Sequence, residues 1–204
     1  MCIRDSGRAV SQLLAPAVGR MVLVGRQREQ VEIVADLVRK AGCDTVAVTA
    51  DVSDIKQAEV VVAVTSSGGN LIQPDMLRCG AVVCDVSRPR DVSWQVGQKR
   101  DDVLVIDGGL VRVPGNVDFG FNYGLPPNLT YGCFAETIAL TLEGLFEDYS
   151  IGKDLSIEQV RRIDDLATKH GFELAALRSF EHKLDESRIE QIKAKVHIGD
   201  HTVS

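Results

Sequence analysis

Short apolar runs, rich in β-branched residues, alternate through the first half of the chain with stretches of helical periodicity. Buried strands are predicted for RMVLVG (residues 20–25), DTVAVT, AEVVVAVT, CGAVVCDV and DVLVIDGG. REQVEIVADLVRKAG (residues 28–42) has the spacing of an amphipathic helix, with basic residues and a glycine at its end. Apolar strands separated by helices are typical of a parallel sheet covered on both faces. The pattern predicts an α/β fold with a doubly wound, Rossmann-type parallel sheet.

The pattern changes after about residue 120, where loop-forming residues gather in GFNYGLPPNLTYG. Two helices are predicted near residues 131–148 and 156–170, the second opened by the capping box SIEQ, and a charged helical tail near 180–197. We therefore expect two domains: a Rossmann-type domain over residues 7–120 and a C-terminal helical segment over residues 121–204.

Composition narrows the possible functions of this chain of 204 residues. Its net charge of −6 is spread along the sequence, which argues against a nucleic-acid binder. No apolar run reaches the roughly 18 residues of a membrane span. The cysteines form no CxxC and no Cys/His metal pattern, and with no export signal we expect reduced thiols and a cytoplasmic protein. They are Cys2, Cys43, Cys79, Cys84 and Cys133.

The start of the chain bears on nucleotide binding, because the first strand–helix turn of such a sheet normally carries glycines that approach a pyrophosphate. The opening MCIRDSGRAVSQLLAP offers Gly7 at the start of a helix, but neither a first strand nor earlier glycines. We expect a truncated reading frame whose first six residues are not native. A naturally short N-terminus is the alternative. In the expected strand order, the missing strand belongs between RMVLVG and AEVVVAVT.

Two further segments indicate the cofactor. NAD-specific sites carry an acidic residue after the second strand of the complete fold, which corresponds to RMVLVG in this chain. Arg26 stands at that position here. A guanidinium suits a 2′-phosphate and therefore favours NADPH, unless Arg26 is only a solvated loop charge. The loop after AEVVVAV is small enough to let a nicotinamide approach closely. Its predicted binding residues are Thr65, Ser66, Ser67, Gly68 and Gly69.

Cys133 lies in the first turn of the helix predicted after residue 131. A lone cysteine is commonly a small packing residue. Here, however, helical geometry places the core stripe on another arc, made of Phe134, Ile138, Leu142, Leu145 and Tyr149. If Thr130 caps the helix, Cys133 occupies its third position, where the helix dipole favours the reactive thiolate. Cys84, inside a strand, is predicted to be core.

A reactive cysteine beside a nicotinamide indicates attack on an acyl group, formation of a thioester and reduction to an aldehyde. The segments VVCDVSRPRDVS, VLVIDGGLVRVPG, CFAETIALTLEG and IEQVRRIDDLATKHGFEL resemble the NADPH-dependent long-chain acyl-(acyl-carrier-protein) reductases. The resemblance implies that Cys133 carries the acyl group and that residues 7–120 hold NADPH. It implies an acyl carrier protein or coenzyme A thioester as substrate and a separate N-terminal substrate region, so that this chain corresponds to the C-terminal part of such an enzyme.

Two alternatives stay open. One is an alcohol or keto-acid dehydrogenase of the shikimate dehydrogenase type, which needs a general acid such as Lys or Tyr but no cysteine. The other is a non-catalytic nucleotide-binding module. An acidic carrier protein would dock on a basic patch, for which Arg161, Arg162, Arg178 and Lys183 are candidates unless they are merely solvated.

Overall fold

The computed structural model of the protein describes residues 5–65, 69–122, 124–150 and 155–200. The chain forms two compact units, the first made of Met1–Gly108 and Leu177–Ser204, the second of Gly109–Ala176. The predicted domain boundary at residue 120 stays a prediction, because contacts within a chain do not decide which segment folds on its own.

The first unit begins with helix α1 (Asp5–Leu14), followed by strand β1 (Arg20–Val24), helix α2 (Arg28–Lys40) and strand β2 (Thr45–Thr49). The two strands pair in parallel, a geometry that requires the crossover helix between them. The buried face of α2 packs on β1 through Val31, Val34, Ala35 and Val38. These predicted elements are confirmed.

Three further parallel strands follow in the same unit. They are β3 (Val60–Ala63), β4 (Val82–Asp85) and β5 (Leu104–Asp107), with helix α3 (Trp94–Lys99) between the last two. Their register sets Ala63, Asp85 and Asp107 side by side at the carboxyl ends. The predicted α/β fold with parallel strands is confirmed, and its carboxyl-end edge carries two aspartates in line.

The parallel strands form two sheets. Strand β1 pairs with β2, and β3 pairs with β4, but no described strand joins β1 to β3. This break falls where the predicted fold places its first strand. The truncated reading frame expected from the sequence stays a prediction.

The second unit contains an antiparallel sheet and two helices. Strand β6 (Leu110–Arg112) lies between β7 (Leu129–Tyr131) and β8 (Glu173–Leu174). Helix α4 (Gly132–Leu142) follows β7, and helix α5 (Ile157–Lys169) leads toward β8. The capping box predicted at the start of α5 is confirmed, because Ser156 and Gln159 exchange both side chain–backbone hydrogen bonds.

Helix α4 differs from its prediction in length and in its buried face. It ends at Leu142, and Gly144 then adopts a φ of 70° that terminates it. Its buried residues are Ala135, Ala139 and Leu140, whereas Phe134 and Leu142 of the predicted core stripe are 37% and 56% exposed. The predicted stripe is wrong at Phe134 and Leu142, because Ala135 and Ala139 join Val113 and Phe172 in the core of this unit. Ile138 of the predicted stripe does pack against that core.

The C-terminal segment also differs from its prediction. In place of one helix from residue 180, a two-residue hairpin connects β9 (Arg178–Ser179) to β10 (His182–Lys183) before helix α6 (Glu186–Asp200). Phe180 and Glu181 occupy the turn with φ of 48° and 70°, as a tight hairpin of type I′ requires. We call residues 178–183 the C-terminal hairpin. No helix in the described part of the chain is long and apolar enough to cross a membrane.

Candidate functional site

Three aspartates are buried at the carboxyl ends of β4 and β5 and in the loop after β4. They are Asp85, Asp91 and Asp107. Asp85 accepts hydrogen bonds from the amides of Ser87 (3.0 Å) and Val92 (2.9 Å). A buried carboxylate is tolerated only with such partners. The loop after β4 therefore folds back onto the end of its own strand.

Asp91 connects this loop to strand β3. Its carboxylate accepts hydrogen bonds from the hydroxyls of Ser87 (2.7 Å) and Thr65 (2.8 Å), while the Thr65 amide donates to the Ser87 hydroxyl (2.8 Å). We call Thr65, Asp85, Ser87 and Asp91 the carboxyl-end cluster. Thr65, a predicted cofactor residue, is thus fixed in place by buried groups.

Gly69 lies against the same loop. Its φ is 95°, and a Cβ at this position would come within 2.9 Å of the Arg90 carbonyl oxygen. Both facts require glycine. The Asn70 amide donates to the same carbonyl at 3.1 Å. Thr65 and Gly69 are therefore brought to one loop, whereas the predicted binding residues Ser66, Ser67 and Gly68 lie outside the described residues.

Asp107 is held from two sides. Arg90 forms an ion pair with one carboxylate oxygen, and the Glu181 amide of the C-terminal hairpin donates to the other at 2.7 Å. The Arg90 guanidinium also lies over the rings of Trp94 (5.4 Å) and Phe180 (4.9 Å). With both of its oxygens engaged, Asp107 has a structural role.

The pKa values in this region follow from burial and from these partners. Burial opposes ionisation of Asp107, but the hydrogen bonds from Arg90 and Glu181 outweigh it and lower its pKa below the ordinary value. Burial raises the pKa of Asp85, because its two amide donors do not fully compensate. Burial and the neighbouring aspartates also raise the pKa of the Cys84 thiol, so that thiol stays protonated.

The other predicted cofactor residues lie on α1 and after β1. Gly7 is part of the first turn of α1. Arg26 is exposed in the turn after β1, beyond Gly25, whose amide donates to Thr49. In the part of the chain that the structure describes, Arg26 makes no ion pair, whereas its neighbour Arg28 pairs with Glu32 at 3.6 Å. A free guanidinium at this position is available to an anion.

Cys133 is exposed and occupies the second position of α4. The helix is capped by Tyr131 with no side-chain hydrogen bond, so the predicted cap by Thr130 and the third position for Cys133 are wrong. Pairing of β7 with β6 holds Thr130 in a strand opposite Val111 and buries it. Among the described residues its hydroxyl has no hydrogen-bond partner. The thiol therefore lies at a helix N-terminus that no side chain caps.

The solvent-facing arc of α4 carries no charge. Its exposed residues are Cys133, Phe134, Thr137, Thr141 and Leu142. The Thr137 hydroxyl donates to the Cys133 carbonyl (3.1 Å) and the Thr141 hydroxyl to the Thr137 carbonyl (2.7 Å), so both donors are used within the helix. An exposed helix face normally carries charged residues. We call this surface the uncharged arc.

Sequence reasoning missed the carboxyl-end cluster. The signal was present, because DVSRPRDVS places two aspartates and two serines directly after a predicted strand. Ligand-facing polar groups collect at the carboxyl ends of parallel strands. What the sequence does not reveal is that Thr65 and Ser87, which are 22 positions apart, share a hydrogen bond.

Parallel strands joined by helices, with buried polar groups at their carboxyl ends, define a Rossmann-type dinucleotide-binding domain. Residues 5–107 match the model of the family described as shikimate / quinate 5-dehydrogenase, which is half of the chain. The chain belongs to the shikimate / quinate 5-dehydrogenase family and carries an oxidoreductase-like NAD(P)-binding domain.

Two curated relatives cover more of the chain. It is 38% identical over 156 residues to "Aminotransferase PigE" of Serratia sp. (strain ATCC 39006), which is 74% of this chain and 18% of that protein. It is 27% identical over 182 residues to the "Long-chain acyl-[acyl-carrier-protein] reductase" of Synechococcus elongatus, which is 85% of this chain and 51% of that protein. The resemblance to acyl reductases is thus a distant relationship, and the chain matches only part of each relative's length.

Replacing Asp107 by alanine is expected to lower the free energy of unfolding at pH 7 by about 3 kcal/mol, because Arg90 loses its buried partner. Since the folded-state pKa of Asp107 is lowered, its stabilisation is present above about pH 4 and is lost as the pH falls further. Denaturant unfolding at several pH values measures both the loss in free energy of unfolding and its dependence on pH. Glu32→Ala, which breaks an exposed ion pair, should cost under about 0.5 kcal/mol. A loss for Asp107→Ala that is the same at pH 3 and pH 7 would contradict this account.

Proposed function

We propose that the protein reduces long-chain fatty acyl thioesters, carried by acyl carrier protein or coenzyme A, to fatty aldehydes with NADPH. The observation that carries the proposal is the exposed Cys133 at an uncapped helix N-terminus. The Gly132 amide donates to the Gly109 carbonyl at 2.8 Å, and the positive end of the helix dipole lies beside the thiol. The distant relationship to a protein named as a long-chain acyl reductase supports the same reaction.

In the proposed reaction, the Cys133 thiolate attacks the acyl carbonyl carbon and forms a new carbon–sulfur bond. The bond to the carrier sulfur breaks, and the carrier leaves as a thiol after taking up a proton. NADPH, when bound, supplies the hydride that reduces the acyl carbon to the aldehyde. The bond to Cys133 then breaks and the thiolate is regenerated. The amides of the first turn of α4 are suited to stabilise the negative charge that develops on the acyl oxygen.

The residues proposed to hold NADPH fit such a ligand in two respects. Arg26 is exposed and makes no ion pair within the described residues, which suits a 2′-phosphate. Gly69 lacks a side chain where backbone approaches backbone closely, and Thr65 is fixed by the carboxyl-end cluster. Gly7, in the first turn of α1, is proposed to serve the pyrophosphate. Ser66, Ser67 and Gly68 complete the proposed nicotinamide loop.

The uncharged arc fits an apolar substrate. An acyl chain attached to Cys133 can lie against Phe134 without desolvating a charged group. Phe134 in turn contacts the ring of Phe119 at 5.4 Å, which extends the apolar surface. A small polar substrate would gain no binding free energy from contact with such a surface.

We propose that an acidic carrier protein docks on cationic side chains of one unit, and that it does so in the cytoplasm. Arg161 and Arg162 lie on α5, where the Arg162 guanidinium packs 5.8 Å from the Tyr149 ring. Arg178 donates to the Glu181 carbonyl in the C-terminal hairpin. The cations on α5 and the cation in the C-terminal hairpin are proposed as two separate contacts for an acidic carrier.

The family match favours a second candidate, an alcohol or keto-acid dehydrogenase. That reaction needs no cysteine, so thiol alkylation should abolish only the acyl reductase. A non-catalytic nucleotide-binding module would bind the cofactor and show no turnover with either class of substrate.

Replacing Cys133 by serine in the full-length protein is expected to abolish aldehyde formation and leave NADPH binding intact. Serine keeps the size of the side chain but is a far weaker nucleophile at neutral pH. Aldehyde production and cofactor fluorescence measure the two properties. Cys79→Ser is the matched control, because Cys79 is also exposed. A Cys133→Ser protein that still forms aldehyde would exclude the proposed nucleophile.

Replacing Arg26 by alanine is expected to weaken NADPH binding by roughly ten- to a hundredfold and to leave NADH binding nearly unchanged. One charge-assisted contact to phosphate is worth about 1.5–3 kcal/mol, and each 1.4 kcal/mol is about tenfold. Titration of both cofactors measures the difference. Lys40→Ala, an exposed cation at the end of α2, is the control and should affect neither cofactor. Equal losses for both cofactors would show that Arg26 has a structural role.

A further inference from the structure

A cavity of about 240 Å³ opens in the first unit between α3, β5, the C-terminal hairpin and α6. Its lining includes none of the residues predicted for the cofactor or the acyl group. Its walls come from segments far apart in the sequence, α3 and β5 on one side and the last thirty residues or so on the other.

The inner wall of the cavity is apolar. It is formed by Val96 of α3, Val105 of β5 and Ile192 of α6, all of them buried. Phe180 completes it, and its ring is held against Trp94 at 5.1 Å between centroids. A preformed apolar wall of this kind suits the body of a small organic molecule.

The rim of the cavity is cationic. Lys183 and Arg188 line it, and neither makes an ion pair within the described residues. Arg100 lines it as well, but its guanidinium is committed to Asp102 (2.7 and 2.8 Å) and to the Leu77 carbonyl (2.8 Å). Asp185 is the one carboxylate among the lining residues. Among the described residues, the cavity lining therefore holds two cations that form no ion pair, the committed Arg100 and a single carboxylate.

We infer that this cavity binds a small amphipathic anion, with its apolar body against Val96, Phe180 and Ile192 and its charged head at Lys183 and Arg188. The volume corresponds to about eight water-sized groups at roughly 30 Å³ each, which is the size of a short alkyl chain with one carboxylate or phosphate. Both head groups accept hydrogen bonds from ammonium and guanidinium groups. The inference uses neither Cys133 nor the cofactor residues, and it shares only Lys183 with the cations considered for carrier docking.

The test is a titration of the isotope-labelled protein followed by amide NMR, with three probes of similar size. Hexanoate carries a carboxylate, butyl phosphate carries a phosphate, and hexanol carries no charge. We expect hexanoate or butyl phosphate, or both, to shift the amide resonances of Gly97, Phe180 and Lys183, and hexanol to bind at least tenfold more weakly. The stronger of the two anions identifies the head group.

Replacing Lys183 and Arg188 together by glutamine should weaken anion binding by about tenfold or more, since two charge-assisted contacts are lost. Lys193→Gln is the control. Lys193 lies on α6, as Arg188 does, but it pairs with Glu190 and does not line the cavity. Three results would overturn the inference: no shift at these residues with either anion, equal binding of hexanol, or undiminished binding by a double variant whose spectrum shows it to be folded.

Discussion

The ion pair between Asp107 and Arg90 is the interaction on which the first unit most depends. It joins the end of β5 to the loop after β4, and the second oxygen of Asp107 holds the C-terminal hairpin through the Glu181 amide. Phe180 then covers Arg90 and forms one wall of the cavity. A buried carboxylate without partners is costly, so the loop and the hairpin stabilise each other through Asp107.

The same requirement shapes the cofactor side of the sheet. Asp85 and Asp91 are satisfied only if Thr65, Ser87 and the Val92 amide converge on them. A fully satisfied polar network of this kind rigidifies its surroundings. It fixes Thr65, the first residue of the loop that is proposed to contact a nicotinamide.

Elements that depend on local periodicity were predictable from the sequence, as α2 and the capping box at Ser156 show. Elements that depend on distant partners were not. The core stripe predicted for α4 was wrong at Phe134, because the core of the second unit accepts the small side chains of Ala135 and Ala139 and leaves Phe134 exposed. The prediction of a helix from residue 180 was wrong because Phe180 adopts a left-handed conformation. That conformation contradicts local preference and is stabilised by contacts across the fold.

The central claim is that an acyl group is carried on Cys133, whose exposure and position in α4 the sequence could only partly foresee. The most direct test is to incubate the full-length protein with a long-chain acyl thioester in the absence of reductant, digest it, and locate the adduct by mass spectrometry. The account predicts a thioester on the peptide that contains Cys133, which disappears when NADPH is added. An adduct confined to Cys79 or Cys84, or a protein that forms aldehyde with no acylated cysteine, would contradict it.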